Sequence, residues 1–163
     1  MSDLHGVLDY RFPTFALRVR YNRSQLLKAE FCALEDVLST NEVDDGFELR
    51  AKIIQQLNAY VMDPNFIFDL PLQVNGTEHQ EKIWQIMCQT PSGKSLTYGE
   101  VAKQILSAPR AVGGACGKNP FPVIIPCHRI IAANHKLGGF NSGNIFFNLG
   151  IKKWLLAHEG ILF

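Results

Sequence analysis

A cysteine and a histidine are neighbours in a Pro-Cys-His-Arg segment at residues 126–129. A cysteine thiol is a nucleophile only as the thiolate, and a nearby imidazole or guanidinium group lowers its pKa. Runs of β-branched residues flank the segment at 123–125 and 130–131, so we expect buried strands that hold the thiol and the imidazole in place. The segment is therefore a candidate site of covalent chemistry at Cys127.

Strand geometry argues against a direct pair between Cys127 and His128. Neighbours on a strand point to opposite faces of the sheet, so either the strand breaks at Pro126 or a bridging water carries the proton. A Cys-His hydrolase is disfavoured for this reason. The alternative is that Cys127 has a purely structural role as a packed core residue, because free cysteine is among the most buried residue types.

Chain length and cysteine use restrict the class of protein. The 163 residues suffice for one domain or two small ones, and the four cysteines show no C-x-x-C spacing. This pattern argues against a zinc site or a disulfide scaffold and favours a reducing compartment. Residues 1–9 lack a secretory signal, and no apolar run is long enough to span a membrane. We expect a cytoplasmic protein, nuclear if eukaryotic, without a metal ion or cofactor.

Charge is distributed unevenly along the chain. Residues 1–74 hold seven basic and eleven acidic residues, a net charge of −4, whereas residues 75–163 hold nine and four, a net charge of +5. The basic half suggests contact with a polyanion, although scattered solvated charge would also produce this balance.

The acidic half, residues 1–74, is predicted to form a small α/β scaffold domain. Alternating residues at 15–21 indicate a half-exposed strand, and 26–34 a second strand. An apolar repeat near 3.6 predicts a helix that starts after residue 46 and stops at Asp63-Pro64. Residues 66–68 are then predicted as a further strand. No catalytic constellation is found in this half.

The basic half, residues 75–163, is predicted to be mostly helical. Thr77 with Gln80, and Thr97 with Glu100, have the spacing of capping boxes and predict two helix starts. Pro109 suits the first position of a further helix. The short link before Pro109 then makes a helix-turn-helix unit.

The second helix of that unit contains two adjacent glycines, Gly113 and Gly114. Each costs about 1 kcal/mol relative to alanine. Such a helix is useful where its surface must approach something closely, and a DNA backbone would qualify. Close packing against a neighbouring helix is an equally good explanation.

Two features follow the Pro-Cys-His-Arg segment. The glycine-rich residues 137–143 could wrap a flat ligand under Phe140, but they lack the strand-loop-helix context of a phosphate cradle. The last helix ends near Glu159, with Gly160 as its expected cap. A buried carboxylate is costly unless it is paired, and a histidine is a natural partner.

Five motifs in order resemble the O6-alkylguanine-DNA alkyltransferase family. They are Gly-Thr at 76–77, Leu-Thr-Tyr-Gly-Glu-Val-Ala at 96–102, Arg-Ala-Val-Gly-Gly-Ala at 110–115, Asn-Pro at 119–120 with the segment at 126–129, and Leu-Leu-Ala-His-Glu-Gly at 155–160. The match is dense over 69–160, whereas 1–68 agree only in general plan. The resemblance implies an α/β (α+β) fold: a small N-terminal antiparallel sheet with a helix, then a mostly helical domain with a winged helix-turn-helix and the reactive cysteine.

The resemblance also implies direct repair of DNA in a single, irreversible turnover. Cys127 would accept the alkyl group from O6-alkylguanine, and also from O4-alkylthymine. His128 would take the thiol proton through a water, Glu159 would hold the histidine tautomer, and Asn119 would brace this network. Tyr98 would donate a hydrogen bond or proton to the departing guanine.

The implied partner is double-stranded DNA, bound by a monomer in the minor groove with little sequence preference. The damaged base would be flipped out, and Arg110 would fill its place in the stack. The predicted DNA-contacting residues are Thr97, Arg110, Ala111, Gly113, Gly114, Ala115 and Arg129. The predicted pocket residues are Cys116, Leu137, Gly138, Phe140, Asn141 and Ser142.

Some positions depart from the family pattern. Phe140 replaces a tyrosine, His79 replaces an aromatic residue, the link before Arg110 is short, and residues 144–150 look like an insertion before the final helix. Two other classes remain as alternatives: a lesion-binding protein without transfer activity and a transcription regulator. Neither needs Cys127.

Overall fold

The computed structural model describes residues 5–38, 47–139 and 145–163. The chain divides into two units, Met1–Val74 and Asn75–Phe163, and the same boundary separates its acidic from its basic half.

The first unit is built on a three-stranded antiparallel sheet in the order β1-β2-β3. Its strands are β1 (Gly6–Arg11), β2 (Ala16–Tyr21) and β3 (Leu26–Cys32), and the helix α1 spans Glu48–Met62. Leu8 pairs with Val19, which pairs with Ala29. All three are buried, so one face of the sheet forms the core of this unit.

The predicted strands at 15–21 and 26–34 and the helix that stops before Asp63 are confirmed within a few residues. The sequence did not predict β1. The strand predicted at 66–68 is wrong, because only an isolated bridge from Leu26 to Leu72 forms nearby. The side chain of Gln56 bonds both the N–H and the C=O of Asp69, at 2.8 Å each, and so takes the place of a strand partner.

The second unit is mostly helical. Its elements are α2 (Glu78–Gln89), β4 (Leu96–Thr97), α3 (Tyr98–Gln104), α4 (Pro109–Gly117), a 3-10 turn (Cys127–Arg129), β5 (Ile130–Ile131) and α5 (Ile145–His158). The short strands β4 and β5 pair in parallel. Both capping boxes form: the side chain of Thr77 accepts from Gln80, and that of Thr97 accepts from Glu100, with the reciprocal bonds also present.

The segment before Cys127 is a turn and not the predicted strand. The N–H of Ile125 donates to the carbonyl of Phe121 at 2.7 Å, and Val123 lies at φ 75°. Pro122 and Pro126 have no N–H to donate to a strand ladder, which explains why a β-branched run forms a turn here. No strand runs through Pro126 into Cys127, in keeping with the first of the two alternatives for this segment.

The predicted insertion at 144–150 is corrected, because Ile145 to Gly150 form the first turns of α5. Residue 144 lies outside the described ranges. Gly160 follows the helix at φ 91°, as expected of its cap. Within the described ranges, every helix is too short or too polar to cross a lipid bilayer.

Candidate active site

Cys127 is the first residue of the 3-10 turn and is 2% exposed. Its N–H donates to the carbonyl of Ile125 at 2.8 Å. Asn119 donates to the same carbonyl at 2.8 Å through Nδ2, and its Oδ1 accepts from the N–H of Phe121 at 2.9 Å. Asn119 thus ties together the turn that positions the thiol.

Burial raises the pKa of Cys127 to about 11, while a hydrogen bond with Asn119 and the charge of Lys152 act in the opposite direction. At neutral pH the group is therefore a thiol, and a base must remove its proton before the sulfur can attack.

His128 and Glu159 form a buried pair. Nε2 of His128 lies 2.6 Å from Oε2 of Glu159, and both side chains are fully buried. Burial lowers the pKa of His128, against the influence of Glu159, so the ring is neutral at physiological pH. Because a carboxylate only accepts hydrogen bonds, Nε2 carries the hydrogen and Nδ1 is the basic nitrogen. Nδ1 is buried and has no hydrogen-bond partner among the described residues, so the residue that follows Cys127 in the chain offers a proton acceptor.

Arg129 binds the carboxylate of Glu159 together with His128. It donates to Glu159 through Nε at 2.8 Å and through Nη2 at 3.1 Å, and its Nη1 donates to the carbonyl of Thr90 at 2.7 Å. Burial on its own would raise the pKa of Glu159, but His128 and Arg129 hold that pKa well below its usual range. The prediction that Arg129 contacts DNA is corrected, because its guanidinium group is directed into the protein.

Tyr98 lies at the start of α3 and faces the loop before residue 140. Its hydroxyl donates to the carbonyl of Gly139 at 3.0 Å. Burial raises the pKa of Tyr98, so the phenol keeps its proton and can act as a donor. Gly138 lies at φ 70°, and a Cβ there would be 3.0 Å from Cε2 of Tyr98. Only glycine lets this loop lie so close to the ring.

An open cleft of about 460 Å³ lies beside Tyr98. It is lined by Tyr98, Pro109, Arg110, Gly113, Cys116, Gly117 and Gly139. The structure thus brings three predicted positions, Arg110, Gly113 and Cys116, to one cleft with Tyr98. Leu137 and Gly138 are half-buried nearby in the chain, whereas Phe140, Asn141 and Ser142 lie outside the described residues.

The other predicted DNA-contacting residues have different surroundings. Ala111 and Gly114 are exposed on α4, and Thr97 uses its hydroxyl to cap α3. Ala115 is corrected: it is 3% exposed, and its carbonyl accepts from Nε1 of Trp84 at 3.0 Å. It therefore lies on the core face of the helix, turned away from solvent.

Sequence reasoning missed Lys152. Its side chain is completely buried, and Nζ donates to the carbonyls of Ile130 at 2.7 Å and Gly139 at 2.9 Å. A signal was present, because Lys152 precedes the buried Leu155 and Leu156 by three and four residues. Residues at these spacings share one helix face, so a charged residue on the apolar face of α5 was detectable.

A family model described as "6-O-methylguanine DNA methyltransferase, DNA binding domain" matches residues 78–161, more than half of the chain. The chain belongs to the 6-O-methylguanine DNA methyltransferase family. The resemblance drawn from the five motifs is thereby confirmed.

Curated relatives within this family carry one name, methylated-DNA--protein-cysteine methyltransferase. The protein from Methanosarcina mazei is 44% identical over 110 residues, which cover 66% of each chain. That from Mycobacterium tuberculosis is 44% identical over 92 residues, covering 55% of this chain and 56% of the relative. The match thus spans about two thirds or less of the length of these relatives.

Solved structures of the family share the fold. Mycobacterium tuberculosis O6-methylguanine methyltransferase superimposes with a TM-score of 0.76 at 30% identity, covering 96% of this chain and 93% of that one. Mycobacterium tuberculosis OGT in complex with DNA gives 0.74 at 32% identity, covering 94% and 92%. The predicted α+β fold with a small antiparallel sheet is confirmed, and the described residues form five α-helices.

Proposed function

We propose that this protein repairs DNA by direct reversal, moving an alkyl group from the O6 of guanine, or the O4 of thymine, onto its own Cys127. The observation that carries this proposal is the buried thiol beside the buried His128–Glu159 pair, in a family whose curated members are named as cysteine methyltransferases.

The proposed step begins with the proton of Cys127, which passes through a water to Nδ1 of His128. The sulfur then forms a bond to the alkyl carbon while the bond from that carbon to O6 breaks. The electron pair stays on guanine, which regains a proton at N1, so the thiol proton balances the reaction. Because the product is a thioether that ordinary reductants do not cleave, each molecule reacts once.

Three charged or polar groups support this step. Glu159 fixes the His128 tautomer and stabilises the imidazolium as it forms. Arg129 keeps Glu159 ionised, and the protonated Tyr98 can donate to the departing guanine. The roles of Glu159 and Arg129 agree with the hydrogen bonds of these side chains. Tyr98 would turn its hydroxyl proton from the carbonyl of Gly139 to the guanine in order to donate there.

DNA is the proposed partner, and α4 the element that approaches it. Seven basic side chains of residues 75–163 are exposed: Lys82, Lys94, Lys103, Arg110, Lys118, Lys136 and Lys153. Such a surface suits phosphate contacts without sequence preference. We infer that a monomer binds in the minor groove and flips the base toward the cleft beside Tyr98. The complex of the mycobacterial relative with DNA supports DNA as the partner.

The deciding experiment is the intact mass of the protein after mixing with a duplex that carries one O6-methylguanine. We expect a gain of one methyl group, mapped to Cys127 and absent in Cys127→Ser, which should still bind the duplex. Cys88→Ser is the matched control, because Cys88 is an exposed thiol and its loss should leave transfer intact. Tight binding without any mass gain would favour a lesion-binding protein instead.

A further inference from the structure

Lys152 is a buried cation between the segment that follows Cys127 and the loop that ends at Gly139. Its side chain has no exposed surface, although burying an ammonium group is costly unless it is well paired. Nζ donates at 2.7 Å to the carbonyl of Ile130, three residues after Cys127, and at 2.9 Å to the carbonyl of Gly139. One amine thus joins α5 to the segment that carries the nucleophile and to the wall of the cleft.

The carbonyl of Gly139 is shared by two donors. Besides Lys152, it accepts from the hydroxyl of Tyr98 at 3.0 Å, and Nζ of Lys152 lies 5.8 Å from the centre of the Tyr98 ring. A cation over an aromatic face within about 6 Å is attracted to it. The position of the Tyr98 hydroxyl therefore depends on the same amine.

We propose that Lys152 is a positioning residue of alkyl transfer, which holds the Gly139 carbonyl against Tyr98 and supplies the positive charge that favours the Cys127 thiolate. This role rests on the proposed function. It gives a reason for the buried cation, since developing negative charge on sulfur is stabilised by a fixed charge in a water-poor site.

The pKa shifts of the groups around the amine are consistent with a positive charge on Lys152. Burial lowers the pKa of Lys152 to about 8, whereas the thiolates of Cys127 and Cys116 would raise it. The charge of Lys152 in turn lowers the pKa of Cys127 and that of His128, and Tyr98 stays protonated because burial raises its pKa. At pH 7 the amine is thus charged while Cys127 is a thiol, so its charge is in place when the thiolate forms.

The test compares Lys152→Met with Lys52→Met, which removes the same charge from an exposed lysine on α1 of the first unit. Both variants are measured at pH 7, where the amine of Lys152 is charged. The reaction of Cys127 with iodoacetamide is followed by mass spectrometry without DNA, as the difference from the same variant carrying Cys127→Ser. We expect Lys152→Met to slow this reaction about tenfold, which corresponds to a rise of about one unit in the pKa of the thiol. Single-turnover methyl transfer should fall by at least a similar factor, and Lys52→Met should match the unmodified protein in both measurements.

A rate of reaction with iodoacetamide that Lys152→Met leaves unchanged at pH 7 would overturn the proposal, whatever happens to transfer. Lys152→Gln serves as a second variant, because its amide can still donate to a carbonyl but carries no charge. If Met and Gln both prevent folding while Lys52→Met folds normally, Lys152 is a stability residue and the proposal fails. The iodoacetamide reaction needs no DNA, so failure of the unmodified protein to accept a methyl group would count against the proposed function alone.

Discussion

Glu159 accepts hydrogen bonds from two side chains that differ in charge. Arg129 binds it permanently as a cation, whereas His128 is neutral at rest and gains charge only when it takes a proton. The carboxylate therefore has a constant structural partner and a transient chemical one. In the proposed reaction this division would let Glu159 support proton transfer while Arg129 ties it into the core.

Replacing Glu159 with Gln should reduce both stability and transfer. The change leaves the buried Arg129 without its counter-charge, and breaking one side of a buried ion pair costs about 3 kcal/mol or more. Chemical denaturation would measure this loss. Glu78→Gln is the control, because Glu78 pairs with Lys82 on an exposed helix surface and should change the unfolding midpoint little. A Glu159→Gln protein as stable as that control would contradict the role given to this ion pair.

Acid should destabilise the folded protein through the same carboxylate. The pKa of Glu159 is held below its usual value in the folded state, so its contribution is fully present above about pH 4.3, the ordinary value for glutamate. It is lost as the pH falls further, because the unfolded chain then binds the proton more readily. Melting temperatures between about pH 7 and pH 3 should fall more steeply for the unmodified protein than for Glu159→Gln. If the melting temperatures of the two proteins fall in parallel with pH, Glu159 is not the source of the loss of stability in acid.

At the scale of elements, α4 combines a core face with a bare outer face. Val112 and Ala115 are buried, whereas a Cβ at Gly114 would meet nothing within 4 Å among the described residues. Close packing inside the protein therefore does not explain Gly114. The remaining explanation from the sequence, a surface that must approach DNA closely, is favoured.

Gly114→Ala should stabilise the protein and weaken its binding to DNA. Alanine in a helix is favoured over glycine by up to about 1 kcal/mol, and the added methyl group would hold the helix away from the DNA backbone. We expect a higher melting temperature and about tenfold weaker binding, equivalent to about 1.4 kcal/mol. Fluorescence anisotropy with a labelled duplex would measure the affinity.

Gly150→Ala provides the matched control for that experiment. Gly150 is also an exposed helical glycine, on α5, and a Cβ there meets nothing within 4 Å. Its substitution should raise stability by a similar amount with no change in affinity. Equal affinities for the two variants would remove the argument for close approach at α4.

At the scale of the whole molecule, charge separates the two units. The first has a net charge of −4 and the second +5, although the second includes the internal charges of Arg129, Lys152 and Glu159. Removing two cations and one anion leaves about +4 at the surface of the second unit. Contacts to phosphates are therefore expected from the second unit.

DNA binding should weaken steeply with salt, because each neutralised phosphate releases counterions. With about three phosphate contacts, the logarithm of the binding constant should fall with the logarithm of salt at a slope of about −3. Lys118→Gln, at an exposed site directly after α4, should reduce the slope by about one. Arg11→Gln, at an exposed site of the first unit, should leave it unchanged. A slope near zero for the unmodified protein would exclude phosphate contacts as the source of affinity.

The sequence by itself determined the local features and the family of the protein. The capping boxes that begin with Thr77 and Thr97 involve residues only three positions apart, and the stop at Asp63-Pro64 needs no distant partner. The family motifs are equally local strings of residues. Such signals act between near neighbours in the chain, so they do not depend on how distant segments pack.

Only the tertiary structure decided which groups meet across the chain. Arg129 joins Glu159, thirty residues away, in place of the DNA contact expected of it. Lys152 lies inside the protein because the carbonyls of Ile130 and Gly139 converge on its amine, and Ala115 is turned to the core by packing beneath Trp84. A buried charge is tolerated only where folded segments supply its partners, and the order of residues along the chain does not specify that convergence.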